Sequence, residues 1–133
     1  MKKIYRLKKN HDIAAIVQKR QRVGRENYIV YYQYNKDEVP KVAFSVSKKY
    51  GKAFERNKAK RIAREITRKA ISELKNLKLV IVIKYNSKDQ KFEILEKELL
   101  SIFKTIVLRQ PKGEFNENKK TNWWTIQMGY WLI

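Results

Sequence analysis

Arg56, Asn57, Lys58, Lys60, Arg61, Arg64 and Arg68 fall in one short stretch of chain, and their shared chemistry is phosphate binding. A guanidinium presents a planar fork of donors that matches two phosphate oxygens and also stacks on bases, which suits irregular RNA. Turned at about 100° per residue, the stretch separates into two faces. Ala59, Ile62, Ala63, Ile66, Ala70 and Leu74 lie on one side. Asn57, Arg61, Arg64 and Arg68 lie on the other, with Lys58 and Lys60 flanking them. Glu65 sits at the edge of this stripe, and Glu55 and Glu73 point elsewhere. Most charge runs on helices are solvated faces laced with i,i+4 salt bridges, but charges of one sign cannot be explained that way. The pattern predicts a helix that packs one face on a sheet and shows a cationic stripe to solvent.

No comparable constellation for catalysis is present. The only histidine, His11, stands beside a helix start, and Asp12, Asp37 and Asp89 are scattered among turns and helix ends, so no carboxylate cluster suits two-metal chemistry. The absence of Cys excludes a thiol nucleophile, a disulfide framework and a cysteine zinc site. Charge carries the stronger message. The 133 residues hold 32 Lys and Arg against 13 Asp and Glu, a net charge of +19, which a compact body tolerates most simply by binding a polyanion. Nucleic acid is the first candidate and an anionic membrane surface the second. The apolar run near the N-terminus, Ile13 to Val17, is too short for a secretory signal or a membrane span, so a cytosolic protein is expected.

The positioning elements follow from pattern. Met1 to Lys9 reads as basic and irregular. Asn10 is a good N-cap, and Asp12, Ile13, Ile16 and Val17 place a short helix up to about Arg20, with a turn at Gly24. Tyr28 to Tyr34 and Lys41 to Ser47 read as strands joined by a turn over Asn35 to Pro40, and so as a hairpin. The long helix spans about Ala53 to Leu74. Leu79 to Tyr85 is a strand whose continuous apolar run demands cover on both faces. A last helix covers about Phe92 to Val107. The mixed order of helices and strands makes the class α+β or α/β with a small sheet.

The stretch from Phe44 to Glu65, Phe-Ser-Val-Ser-Lys-Lys-Tyr-Gly-Lys-Ala-Phe-Glu-Arg-Asn-Lys-Ala-Lys-Arg-Ile-Ala-Arg-Glu, resembles the hallmark of the bacterial ribonuclease P protein family. In that family a strand ending in Ser-Lys-Lys leads through Gly and Ala into a helix carrying an Arg-Asn-basic-x-Lys-Arg-x-x-Arg motif. Here the motif is Arg56, Asn57, Lys58, Lys60, Arg61 and Arg64, with Lys58 where many members have Arg. The likeness extends over residues 4 to 108, from Leu7-Lys8-Lys9-Asn10-His11-Asp12-Ile13 to the last helix.

This resemblance implies the α+β form, an α/β sandwich like the second domain of ribosomal protein S5, with a small mixed sheet, three main helices and a left-handed crossover through the Arg-rich helix. It implies an accessory subunit whose partners are ribonuclease P RNA and precursor tRNA, with catalysis and magnesium (Mg2+) held by the RNA, neither a membrane nor a small-molecule ligand being expected. The helix, Arg68 included, is expected to meet the catalytic RNA. A cleft between the first helix and the sheet is expected to take the single-stranded 5′ leader. Ile13 and Val17 match positions that are often Phe, and Tyr28 and Tyr31 match strand aromatics, whose other reading is core tyrosine. Lys48, Lys49 and Lys84, at strand ends, are expected to line the same cleft. A ribosomal or general structural RNA-binding protein is the alternative function. Residues 1–108 form the expected RNA-binding domain, and residues 109–133 a polar linker with a Trp-rich, loosely attached tail.

Overall fold

The computed structural model describes residues 3–109. In chain order the elements are α1 (Asn10–Gln18), β1 (Arg22–Gly24), β2 (Tyr28–Tyr34), β3 (Lys41–Val46), α2 (Ala53–Ala70), β4 (Leu77–Ile83) and α3 (Phe92–Arg109). Short 3-10 turns occupy Lys3–Tyr5, Lys48–Tyr50, Ile71–Glu73 and Tyr85–Ser87. Arg109, expected in the linker, closes α3; the rest of the expected linker and the Trp-rich tail lie outside the described residues.

The four strands form one mixed sheet in the order β1-β2-β4-β3. The expected hairpin between the second and third strands does not form. β4 lies between them, antiparallel to β2 with Tyr31 opposite Val80, and parallel to β3 with Ala43 opposite Val80. The cause is hydrophobic. Leu79, Val80 and Ile81 are consecutive and buried, and only an inner strand covers both faces of such a run. The loop after β2 is fastened to the chain before β4: Asn35 N–H donates to the Asn76 carbonyl at 2.8 Å, and Asn76 Nδ2 donates to the Lys36 and Asp37 carbonyls. A short edge strand, β1, runs up to Gly24, and the expected turn follows it directly, with Arg25 N–H donating to the Tyr28 carbonyl at 2.8 Å. The three residues of β1 are too few to show a period, and Val23 alone of them is buried.

Alternation along the strands sorts the side chains into two layers. Val30, Leu79 and Ile81 point to the face covered by α2 and α3, where they pack with Ala63, Ile66, Leu99, Ile102 and Ile106. The expected apolar face of α2 is this packing face, with Ile62 partly buried at its margin. The opposite face carries only α1. Ile16, Ala43 and Val80 are buried there, and Leu7, Ile13, Val17, Tyr31 and Val82 are only partly covered.

Three helix ends differ from expectation. α2 stops at Ala70 and continues as a 3-10 turn over Ile71–Glu73, where a helix to about Leu74 was expected. Lys9, not Asn10, is the N-cap of α1, and no side chain caps it. α1 also stops at Gln18 because Arg20 adopts a left-handed conformation, φ 59°, which ends the helical path. At the start of α2, Glu55 Oε1 accepts the Lys52 N–H at 2.9 Å. Gly51, at φ 155°, leaves room for that carboxylate: a Cβ there would sit 2.5 Å from Glu55 Oε1.

Candidate nucleic-acid interface

Because α2 buries its alanine side, its charged side must face outward. Asn57, Lys58, Arg61 and Arg68 are exposed, while Arg56, Lys60 and Arg64 are half-buried. The Arg64 guanidinium lies 5.8 Å from the centre of the Phe44 ring, a cation–π distance that helps fix its long side chain. Arg56 Nε is buried with no hydrogen-bond partner in the structure. The stripe is less purely cationic than its sequence implies. Glu65 accepts a hydrogen bond from Arg68 Nη2 at 2.8 Å, and Lys69 pairs with Glu96 of α3. The Glu65–Arg68 pair is about half exposed on both sides, so water and salt weaken it and Arg68 can exchange its carboxylate for a phosphate.

The cleft expected on the opposite face of the sheet corresponds to a partly covered layer. Tyr31 of β2 stands half-buried with Ile13 and Val17 of α1, and Val80 and Val82 of β4 line the same layer. Arg22 of β1 leans over it, its guanidinium 6.0 Å from the Tyr31 ring centre and its Nη1 donating to the Tyr31 hydroxyl at 3.4 Å. A cation beside an aromatic platform is how proteins hold single-stranded nucleic acid without strong sequence preference. Arg22 went unrecognised in the sequence because its strand is too short to be seen. Lys84 extends past the end of β4 and donates from Nζ to the Arg25 carbonyl at 3.2 Å. Lys48 and Lys49 are exposed in the turn after β3.

Tyr28 does not belong to this cleft. It is 1% exposed and packs in the α2–α3 layer, on the other side of the sheet from Tyr31. Burial raises its phenol pKa strongly, and the nearby Glu98 carboxylate and Tyr50 add to the shift. Glu98 instead organises the turn before β2, accepting from Asn27 N at 2.8 Å and from Asn27 Nδ2 at 3.1 Å. A nucleobase held on the Tyr31 face cannot stack on Tyr28.

Cleft and stripe are joined around the edge of β3. A cavity of about 260 Å³ is bounded by Arg6 and Lys8 of the N-terminal segment, Ile13 of α1, and Lys60 and Arg64 of α2. Arg6 and Lys8 are exposed, and the Leu7 N–H between them is pinned to the Val42 carbonyl at 2.9 Å. The basic N-terminal segment is therefore ordered alongside the sheet here. Its expected irregularity fits the lack of a long element, but its role in connecting the two surfaces was hidden. Among the described residues no cluster of three His, Cys, Asp or Glu side chains could hold a metal ion, and His11 sits 3.2 Å from Asp12 with most of its surface in water.

The ribonuclease P family model matches residues 1–107. The chain belongs to the ribonuclease P protein family. It is 43% identical over 98 residues to the ribonuclease P protein component of Phytoplasma australiense, covering 72% of this chain and 85% of that one. It is 37% identical over 103 residues to the component from Finegoldia magna, covering 77% and 90%. Its fold superposes on the Staphylococcus aureus RNase P protein with a TM-score of 0.72 at 31% identity, covering 78% of this chain and 96% of that one. The Thermotoga maritima RNase P protein shares the fold, with a TM-score of 0.68 at 24% identity over 80% and 98% of the two chains. As a ribonuclease P protein component, the chain is an accessory subunit of the endoribonuclease that matures the 5′ ends of tRNA. Family membership decides against the ribosomal alternative. No helix among the described residues is long and apolar enough to cross a membrane.

Proposed function

We propose that the two faces of this ribonuclease P protein divide its labour. The α2 stripe, Arg56, Asn57, Lys58, Lys60, Arg61, Arg64 and Arg68, binds the RNA subunit. The α1 face, with Tyr31, Ile13, Val17 and Arg22, receives the single-stranded 5′ leader of precursor tRNA in the cytoplasm. The observation that carries this reading is the unequal cover of the sheet: a half-open aromatic beside a cation on one side, and a sealed core with an outward cationic stripe on the other. Lys48, Lys49 and Lys84 extend the positive field along the leader's path.

Among the described residues carboxylates do not cluster at either surface, a donor set that does not favour a protein-held magnesium ion. Magnesium is held by RNA phosphates in this account. The protein's cations lower the repulsion between RNA segments and so reduce the divalent ion needed. A photoreactive residue placed at Tyr31 in the assembled holoenzyme should crosslink to leader nucleotides, and one placed at Arg61 to the RNA subunit. Crosslinks from Tyr31 to the RNA subunit alone would overturn the division.

A further inference from the structure

The N-terminal end of α2 carries a constellation that neither the cleft nor the stripe uses. Phe54, in the first turn of α2, and Tyr85, in the turn after β4, expose 69% and 60% of their surface, the most of any aromatic among the described residues. A single exposed ring needs no explanation. Phe54, however, lines a cavity of about 230 Å³ with Tyr50, Glu55, Lys58, Lys88 and Asp89. Tyr85 lies outside the lining but against two of its residues, Tyr50 and Lys88, its ring centre 6.2 Å from that of Tyr50 in an edge-to-face contact.

The floor is fixed. Lys88 Nζ donates to the Tyr50 carbonyl at 3.1 Å and pairs with Glu55 at 3.2 Å. The same ammonium lies 5.8 Å from the Tyr50 ring centre and 5.5 Å from that of Tyr85. Glu55 is held below the usual carboxylate range, first by the Lys52 N–H and then by Lys88, so it stays an acceptor. The Phe54 ring stacks on no ring or cation among the described residues and is open to a partner.

The arrangement of charge selects the occupant. Two carboxylates, Glu55 and Asp89, line the cavity together with Lys58 and Lys88, and Lys88 is already paired with Glu55. Lys58 of α2 is on the lining, and the exposed Arg61 lies further along the same helix. Aromatic faces and carboxylate acceptors beside Lys58 match a nucleotide whose base enters the cavity and whose phosphate meets that lysine. Carboxylates accept hydrogen bonds from exocyclic amino groups such as that of cytosine. We infer that this cavity receives one unstacked nucleobase of an RNA bound along α2, stacked on Phe54 and Tyr85, with its amino edge toward Glu55 or Asp89 and its flanking phosphate on Lys58.

The inference rests on the reading of the stripe as an RNA surface, and the test separates the two. Holoenzyme is assembled from full-length protein, and affinity is measured for the RNA subunit and for precursor tRNA across a salt series. Phe54→Ala and Tyr85→Ala should each weaken one of these affinities by roughly five- to a hundredfold, the loss expected for a stacked base. The slope against salt should not change, because no cation is removed. Phe54→Trp should retain affinity, since it restores a stacking face. Both wild-type rings are exposed, so truncation leaves the core intact. Addition of cytidine monophosphate to the free protein should shift the ring resonances of Phe54 and Tyr85 upfield. Unchanged affinities in both alanine variants, with a slope still flattened by Arg61→Ala and Arg64→Ala, would overturn the base pocket and leave the stripe standing. A slope unmoved by the arginine variants would overturn both.

Discussion

The two faces of this sheet are built from the same strands and lie one side-chain reversal apart, yet they end in opposite states. On one face α2 and α3 seal Val30, Leu79 and Ile81 from water. On the other, a helix of nine residues buries its own Ile16 against Ala43 and Val80 but leaves Ile13, Val17 and Tyr31 half open. Strand alternation assigns each residue to a face, and the length of the covering helix decides whether that face becomes core or surface. Stability is therefore concentrated on the sealed face. The thin face keeps an aromatic and a cation, Tyr31 and Arg22, within reach of a ligand. The stripe escapes this trade because α2 turns its charged side outward while packing its apolar side inward.

Substitutions on the two faces should separate these roles. The largest effect is expected from Leu79→Ala, which leaves a void under α2 and α3 and should cost about 2–5 kcal/mol in urea unfolding. Ile13→Ala, on the half-open face, should cost clearly less, and equal costs would deny the asymmetry. Next comes RNA affinity. Arg61→Ala and Arg64→Ala should each flatten the slope of log affinity against log salt by roughly 0.7 to 0.9 for every phosphate left unneutralised, while leaving unfolding within about 0.5 kcal/mol for exposed Arg61. Arg64 should cost more stability than Arg61, because its guanidinium also covers Phe44. The smallest effect is a gain. Phe at positions 13 and 17 adds stacking faces opposite Tyr31 and should tighten precursor tRNA binding by about 1 kcal/mol or less. Weaker binding with intact folding would mean that the cleft is already filled at its working width.

Much of this arrangement could be read from the chain, for physical reasons that also mark where reading stopped. The α2 stripe was legible because eighteen helical residues repeat one face several times over. The inner position of β4 was implied by its unbroken apolar run, and the hairpin reading failed by ignoring that implication: a strand buried on both faces needs neighbours on both edges. Tyr28 was misassigned although its spacing from Tyr31 already forbids a shared face on a strand, since side chains alternate with a period of two. Arg22, Arg6 and Lys8 were hidden because β1 and the N-terminal segment are too short to show any period, and only tertiary pairing aims them. The Phe54–Tyr85 pair joins residues far apart in sequence, which no local pattern connects.

The central claim is that the thin face contacts the part of the substrate that product lacks. Affinity of the assembled holoenzyme for precursor and mature tRNA, with wild-type protein and with Tyr31→Ala, tests it most directly. The account predicts a loss of about 1–3 kcal/mol for precursor tRNA and almost none for mature tRNA, because only the precursor carries a leader to stack on Tyr31. Equal weakening for both tRNAs in a variant that remains folded would contradict it and return Tyr31 to the core or to the RNA-subunit interface.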